Sequence, residues 1–260
     1  MHLSTIALYP IKSCRGIQVA RARLDDFGIH LDRRWMVVKP DGGLLTQREA
    51  PRMALIRVEL VGDGVIVRAP GMIEQVVSAR EDGAPATVRV WKDTVEACDQ
   101  GDAVAEWFSR FLGGRMRVVY MPEDTLRRVD PGRVPEERRV SFADAFPFLI
   151  LGEASLDELN RRLSAAVSMT RFRPNLVISG TVPFAEDGWR EIRIGTVPFR
   201  VVKPCSRCVL TTVDPETGVK GKEPLATLAT FRKRDGEVHF GQNALHLAEG
   251  ILEVGDPVTG

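Results

Sequence analysis

Cys205 and Cys208 stand close together in Lys203-Pro204-Cys205-Ser206-Arg207-Cys208, whereas Cys14 and Cys98 lie alone. Paired thiols at this spacing admit three chemistries. A structural zinc site wants four ligands, usually as two pairs, and neither the remaining cysteines nor the four histidines form a second cluster at ligand spacing. A thioredoxin-like redox pair sits at a helix N-terminus, but the β-branched run Val209-Leu210-Thr211-Thr212 after Cys208 predicts a strand. Two partly buried cysteines acting as small hydrophobes remain open as the plain alternative. Lys203 and Arg207 bring positive charge that favours a thiolate, and a thiolate is a soft anionic ligand suited to a soft metal.

A second set of candidates is basic. Tyr9-Pro-Ile-Lys-Ser-Cys-Arg-Gly16 places Lys12, Ser13 and Arg15 in a turn that can hold a phosphate or another anion. Arg33-Arg34 before Trp35 and Arg171-Phe172-Arg173-Pro174-Asn175 offer the same chemistry, and for all three the alternative is a solvated basic turn. His2, His30, His239 and His246 are isolated and suggest no hydrolytic triad. Glu186-Asp187, followed by Gly188-Trp189, reads as a surface turn in preference to a general acid. No Walker or dinucleotide glycine loop is present, so nucleotide-driven chemistry has no support.

The elements that must position these residues are mostly short strands. Met53 to Leu60 alternates toward Gly62-Asp63-Gly64, and Val65 to Val67 resumes, a hairpin pattern; Ala86 to Trp91 and Thr94 to Ala97 flank Lys92-Asp93 in the same way. Val104, Trp107, Phe108, Phe111 and Leu112 mark a helix between Asp102 and Gly113-Gly114. Ser155 to Glu158 has the capping-box pattern and leads into Leu156, Leu159 and Leu163. Between these helices runs a segment rich in Pro and Arg, Pro122 to Val140, and strands are expected again at 176–179, 191–194, 197–202, 209–213 and 250–254. The fold class is therefore α+β and β-rich, with two lobes divided as 1–121 and 122–260. A length of 260 residues, 44% hydrophobic and 27% charged, suits two folded domains, and a net charge of +1 excludes the footprint of a nucleic-acid or anionic-membrane binder. The N-terminus lacks a secretory pattern and the longest apolar runs, such as Phe146 to Leu151, fall far short of the roughly 20 residues of a membrane span. Reduced thiols and a cytoplasmic location are the expectation.

Taken in order, YPIKSCRG, DRRWMVV, SFADAFPFLILGEASL, FRPNLVISG, FAEDGW, KPCSRCVLTTVDPETG, FGQNAL and VGDPV resemble the MOSC family with its N-terminal β-barrel companion domain, from residue 6 to residue 258. Within it the chain is similar to the bacterial YcbX-type proteins and the mitochondrial amidoxime-reducing components. The resemblance implies two lobes, an N-terminal β-barrel-like domain and a C-terminal MOSC β-barrel with flanking helices. It implies a molybdenum-pterin cofactor (Moco) whose metal ligand and catalytic residue is Cys208. Cofactor contacts fall on Lys12, Ser13, Arg33, Asp144, Arg173, Asn175, Ser206 and Arg207. The implied activity is reduction of N-hydroxylated compounds. The C-x4-C-x2-C run of a plant-type iron-sulfur domain is absent, so electrons are expected from a separate flavoprotein reductase, ferredoxin or cytochrome. The Arg127 to Arg139 segment is a candidate rim for substrate or else a solvated loop. A cofactor carrier or sulfur-handling protein, and a cofactor-free interaction protein, are the competing functions.

Overall fold

The longest strands are Val197–Ser206, whose first residues alternate between buried and half-buried, and Glu237–His246, most of which is buried, and they pair antiparallel. In the computed structural model, which describes residues 1–260, they lie inside a nine-stranded sheet. Its order runs Val258–Thr259, Glu191–Ile194, Val197–Ser206, Glu237–His246, Phe148–Gly152, Leu176–Ser179, His2–Leu8 and Ile17–Val19, with Lys233–Arg234 on a side branch. Only Phe148–Gly152 and Leu176–Ser179 pair in parallel, and the helix Glu153–Asn160 lies in their connection. The sheet then closes on itself. His2 bridges Pro257, the Leu3 N–H donates to Asp256 O at 2.9 Å, and the Val258 N–H donates to Met1 O at 3.0 Å. Closure removes the exposed edges that an open sheet of this length would carry.

The remaining strands form a four-stranded sheet (Trp35–Val38, Arg117–Tyr120, Asp93–Asp99, Pro85–Val90) and two three-stranded ones. The helix Asp102–Leu112 starts at Gly101, ends on Gly113 in the left-handed conformation (φ 81°), and buries Val104, Trp107, Phe108 and Phe111, as its apolar spacing dictates. Strands cross between the two halves of the sequence: His2–Leu8 pairs with Leu176–Ser179, and Gly250–Glu253 pairs with Arg21–Asp25. One apolar core therefore runs through both halves, from Leu3 and Ile6 to Trp35, Phe108, Phe148 and Phe199.

Several sequence expectations change. The hairpin strand begins at Arg57, because Pro51–Leu55 is a 3-10 turn whose prolyl ring presets helical φ. Val209–Thr212 is also a 3-10 turn; Thr211 and Thr212 donate their hydroxyls back to the Cys208 and Val209 carbonyls, closing the turn instead of extending it. Ser155 does not cap a helix. That helix starts at Glu153, and the Ser155 hydroxyl donates to Glu186 Oε2 at 2.9 Å while accepting the Phe184 N–H. Glu186 is accordingly buried, and the neighbouring Asp187 accepts from Arg232 and Gln242, so this acidic pair ties strands together and is not a solvated turn.

Phe199 is fully buried with its ring edge-on to Phe148 at 5.1 Å. Phe199→Ala is expected to lower the free energy of unfolding by about 3–5 kcal/mol, measured by urea denaturation, since the closed sheet leaves little room to collapse onto the void.

Candidate functional site

The barrel end near Cys208 is shaped by irregular pairing. The ladder between Val197–Ser206 and Glu237–His246 shifts register at Val201/Lys203 and again at Pro204/Ser206, bending the strand as it delivers Cys208. Four loops meet it there. The Tyr9 loop is fixed to the Arg33 loop by the Arg33 N–H on Tyr9 O (3.0 Å) and the Lys12 N–H on Trp35 O (2.8 Å). The 141–147 loop is fixed by the Phe142 N–H on Arg33 O (2.9 Å), and the 170–175 loop by the Asn175 N–H on Leu149 O (2.8 Å). Ser13, Arg33 and Arg173 all adopt left-handed φ (68°, 52° and 56°), which these bonds hold in place.

The loops enclose a cavity of about 290 Å³ lined by Lys12, Ser13, Arg33, Asp144, Arg173, Asn175, Ser206, Arg207 and Cys208. The nine residues that the family resemblance singled out thus line one space. Their roles in it differ. Asn175 is buried and its amide is committed: Oδ1 accepts from Leu149 N–H and from Arg33 Nη1 (3.1 Å), and Nδ2 donates to Ala7 O. It orients Arg33. Arg33 also pairs with Asp32, which accepts the Tyr9 N–H at 2.6 Å. Arg33 and Arg173 both lie over the Tyr9 ring, at 4.6 and 4.1 Å from its centroid, and Arg173 Nη1 donates to Cys14 O at 2.6 Å. Tyr9, whose motif was noted but whose ring had no assigned role, is the platform for two guanidinium groups.

Arg207 donates Nη1 to Cys205 Sγ (2.9 Å) and Nη2 to Phe172 O (2.7 Å), leaving its buried Nε without a partner. The cation on Cys208 is a different one. Arg48 donates Nε and Nη2 to Cys208 Sγ at 3.3 and 3.1 Å, a contact no sequence motif announced. Lys203, expected beside the thiols, lies instead 6.0 Å from the Phe146 ring centroid and does not line the cavity. Arg15 turns away to Glu216 (Nη1–Oε2, 3.0 Å), and Arg34 is buried on Met121 O and Glu123. Arg127 is no solvated rim residue: it is buried and donates to the Ser141 and Ala143 carbonyls at 2.6 and 2.7 Å, bracing the loop that carries Asp144.

Five cations, Lys12, Arg33, Arg48, Arg173 and Arg207, therefore line the cavity against the single carboxylate of Asp144. Lys12 Nζ donates to Asp144 Oδ1 and to Phe142 O, both at 2.6 Å. Burial pushes the Lys12 ammonium down to about 8 even though Asp144 pulls the other way. Burial also lowers Arg173, to about 10, and raises the Tyr9 phenol to about 12. At Asp144 desolvation favours the neutral acid, but Lys12, Arg48 and Arg33 outweigh it and hold the carboxyl below the usual carboxylate range. With its side chain 63% exposed, Asp144 also meets solvent at the cavity mouth, which screens part of that attraction. The site can neutralise an anion, offer a soft sulfur donor and present one carboxylate acceptor. No group of three or more His, Cys, Asp or Glu side chains forms an alternative metal cluster.

Lys12 titrates near 8 in the free site, so its charge is present at pH 7 and lost as pH rises through that value. Binding of sulfate, an anion that does not itself titrate in this range, is expected to weaken on the order of tenfold between pH 7 and 9.5 by calorimetry. Lys12→Arg is expected to flatten that dependence, because a guanidinium stays charged throughout.

Comparison with known proteins agrees with this architecture. The model of the MOSC N-terminal beta barrel domain matches residues 1–115, and that of the MOSC domain matches residues 137–259. Mitochondrial amidoxime-reducing component 1 of Homo sapiens is 38% identical over 271 residues, covering 96% of this chain and 80% of the relative. Mitochondrial amidoxime reducing component 2 of Rattus norvegicus is 38% identical over 277 residues, covering 98% and 82%. The protein of the same name from Bos taurus is 37% identical, again with 98% and 82% covered. The chain belongs to the family of the amidoxime-reducing components, with a MOSC N-terminal β-barrel domain followed by a MOSC domain.

Proposed function

We propose that this chain holds a molybdenum-pterin cofactor in the cavity around Cys208 and reduces N-hydroxylated compounds with electrons from a separate protein. The observation that carries the reading is the joint presence of a soft sulfur donor on which Arg48 donates twice and a surrounding ring of cations, one with a buried, unpartnered N–H at Arg207 Nε. A buried donor with no partner costs free energy, and an anionic ligand in the cavity relieves it.

In this reading Lys12, Arg33, Arg173 and Arg207 neutralise the phosphate, and the Ser13 and Ser206 hydroxyls add donors. Asp144 accepts N–H groups of the ligand, while Asn175 acts through Arg33. The Cys208 sulfur is the protein's metal ligand, held and oriented by the two Arg48 N–H groups. When bound, the cofactor supplies two-electron reduction of a nitrogen-oxygen bond; the chain's own residues bind it, orient it and limit access. The overall change consumes two electrons and two protons, converting N–OH to N–H and releasing water. A flavoprotein reductase, a ferredoxin or a cytochrome supplies the electrons. In this reading the boundary between the lobes falls near residue 121. No helix is long and apolar enough to cross a membrane.

The test is molybdenum content by elemental analysis, paired with reduction of 6-hydroxylaminopurine by dithionite-reduced methyl viologen. Wild type is expected to carry metal and turn over. Cys208→Ser is expected to keep the pterin and lose turnover by more than about 100-fold, beyond what removing an outer hydrogen-bond partner costs. Loaded wild-type protein without turnover makes the chain a carrier, and metal-free protein from a cofactor-competent host removes the reading altogether.

A further inference from the structure

The hairpin of Pro85–Val90 and Asp93–Asp99 turns at Trp91 and Lys92, and Trp91 takes a left-handed φ of 56°. Tight hairpins reserve such a position for glycine or asparagine, since a bulky L-residue there is strained. Trp91 nevertheless reaches three site residues carried by three other segments. Arg48 lies over its ring at 4.5 Å from the centroid, Lys12 lies 5.6 Å from the same centroid, and its Nε1 approaches Asp144 Oδ1 at 3.3 Å. Arg48 in turn holds Cys208 Sγ through two N–H bonds, and the same Asp144 oxygen accepts from Lys12.

We infer that Trp91 is a positioning residue for the reaction, one that acts through Arg48 by stacking its guanidinium so that both N–H bonds stay on the Cys208 sulfur. This rests on the cofactor reading above. Arg48 has no carboxylate partner among the ion pairs of the chain, so the ring and the sulfur are the groups that fix its plane. A guanidinium over an indole gains enough to restrict a side chain that otherwise has many rotamers. Hydrogen bonds to a ligating sulfur withdraw electron density from it and raise the reduction potential of the bound metal. Loss of the stack is therefore felt at the metal through Arg48, which lies between the Trp91 ring and the Cys208 sulfur. Its side chain stands at an exposed turn, 43% accessible, so replacing it leaves the core intact.

The experiment is a double-mutant cycle on the cofactor-loaded protein with Trp91→Ala, Arg48→Ala, the pair together, and Trp91→Phe. Three quantities are read: molybdenum per chain, the midpoint potential of the metal, and kcat against KM. Trp91→Ala is expected to keep most of the molybdenum, shift the potential negative and lower kcat about tenfold with KM little changed. Arg48→Ala is expected to shift the potential the same way and at least as far, and the double variant no further than Arg48→Ala alone. Trp91→Phe, which keeps a ring but no Nε1, is expected to return kcat and potential to near wild type. A Trp91→Ala protein with wild-type potential and kcat overturns the inference, as do Trp91 and Arg48 effects that multiply, or a Trp91→Phe protein as impaired as Trp91→Ala. Wild-type protein without molybdenum or turnover defeats the cofactor reading itself and this inference with it.

Discussion

Like charges drawn into one poorly solvated cavity repel, and the arrangement of this site follows from containing that repulsion. Arg33 and Arg173 both lie over the Tyr9 ring, so their guanidinium groups are no more than about 9 Å apart. At an effective dielectric of about 20, two unit charges at that distance cost about 2 kcal/mol, and Lys12, Arg48 and Arg207 add further pairs. Asp32 behind Arg33, Asp144 on Lys12 and the face of Tyr9 offset part of this, but one carboxylate inside the cavity leaves an excess of positive charge. The Lys12 ammonium and the Arg173 guanidinium are lowered first by burial, and Arg33 beside each of them pushes the same way. A protein whose overall charge is close to zero has set five cations around one carboxylate here, a local surplus suited to an anion.

Holding the cations there requires backbone that ordinary residues avoid. Seven residues other than glycine have left-handed φ, and four of them, Ser13, Arg33, Trp91 and Arg173, belong to or touch this site. Each costs about 1–2 kcal/mol relative to a relaxed conformation. The exchange of strands between the halves of the sequence supplies the rigidity that keeps such loops in place. His2–Leu8 feeds the Tyr9 loop directly out of the closed sheet, and Leu176–Ser179 does the same for Arg173 and Asn175 from the neighbouring strand. The two sides of the cavity are thus hydrogen-bonded to each other through the barrel wall, and a β-bulged strand brings Cys208 between them.

Much of this was legible in the sequence where the signal is local or carried by family blocks. The helix at Asp102–Leu112 followed from apolar spacing, and the hairpin at Pro85–Asp99 from alternation around Lys92-Asp93. Lys12, Arg33, Arg173, Asn175, Arg207 and Cys208, unremarkable singly, line one cavity. What was not legible depends on contacts far apart along the chain. Arg48 reaches Cys208 across 160 positions from a loop with no motif, and Trp91 looked like the end of a strand. Ser155 and Glu158 satisfied a local capping pattern, but Ser155 found a buried carboxylate 31 positions away, a tertiary bond that local propensity cannot anticipate. Val209–Thr212 has strand-forming residues, yet its hydroxyls close a turn.

The central claim is that the cavity's cations gather an anionic cofactor around a metal whose protein ligand is the Cys208 sulfur. X-ray absorption at the molybdenum edge, on wild type and on Cys208→Ser protein that has kept its pterin, addresses this without reference to turnover. The account requires one sulfur fewer around the metal in the variant, with the pterin sulfurs unchanged. An identical sulfur count in the two proteins, with metal bound in both, would contradict it.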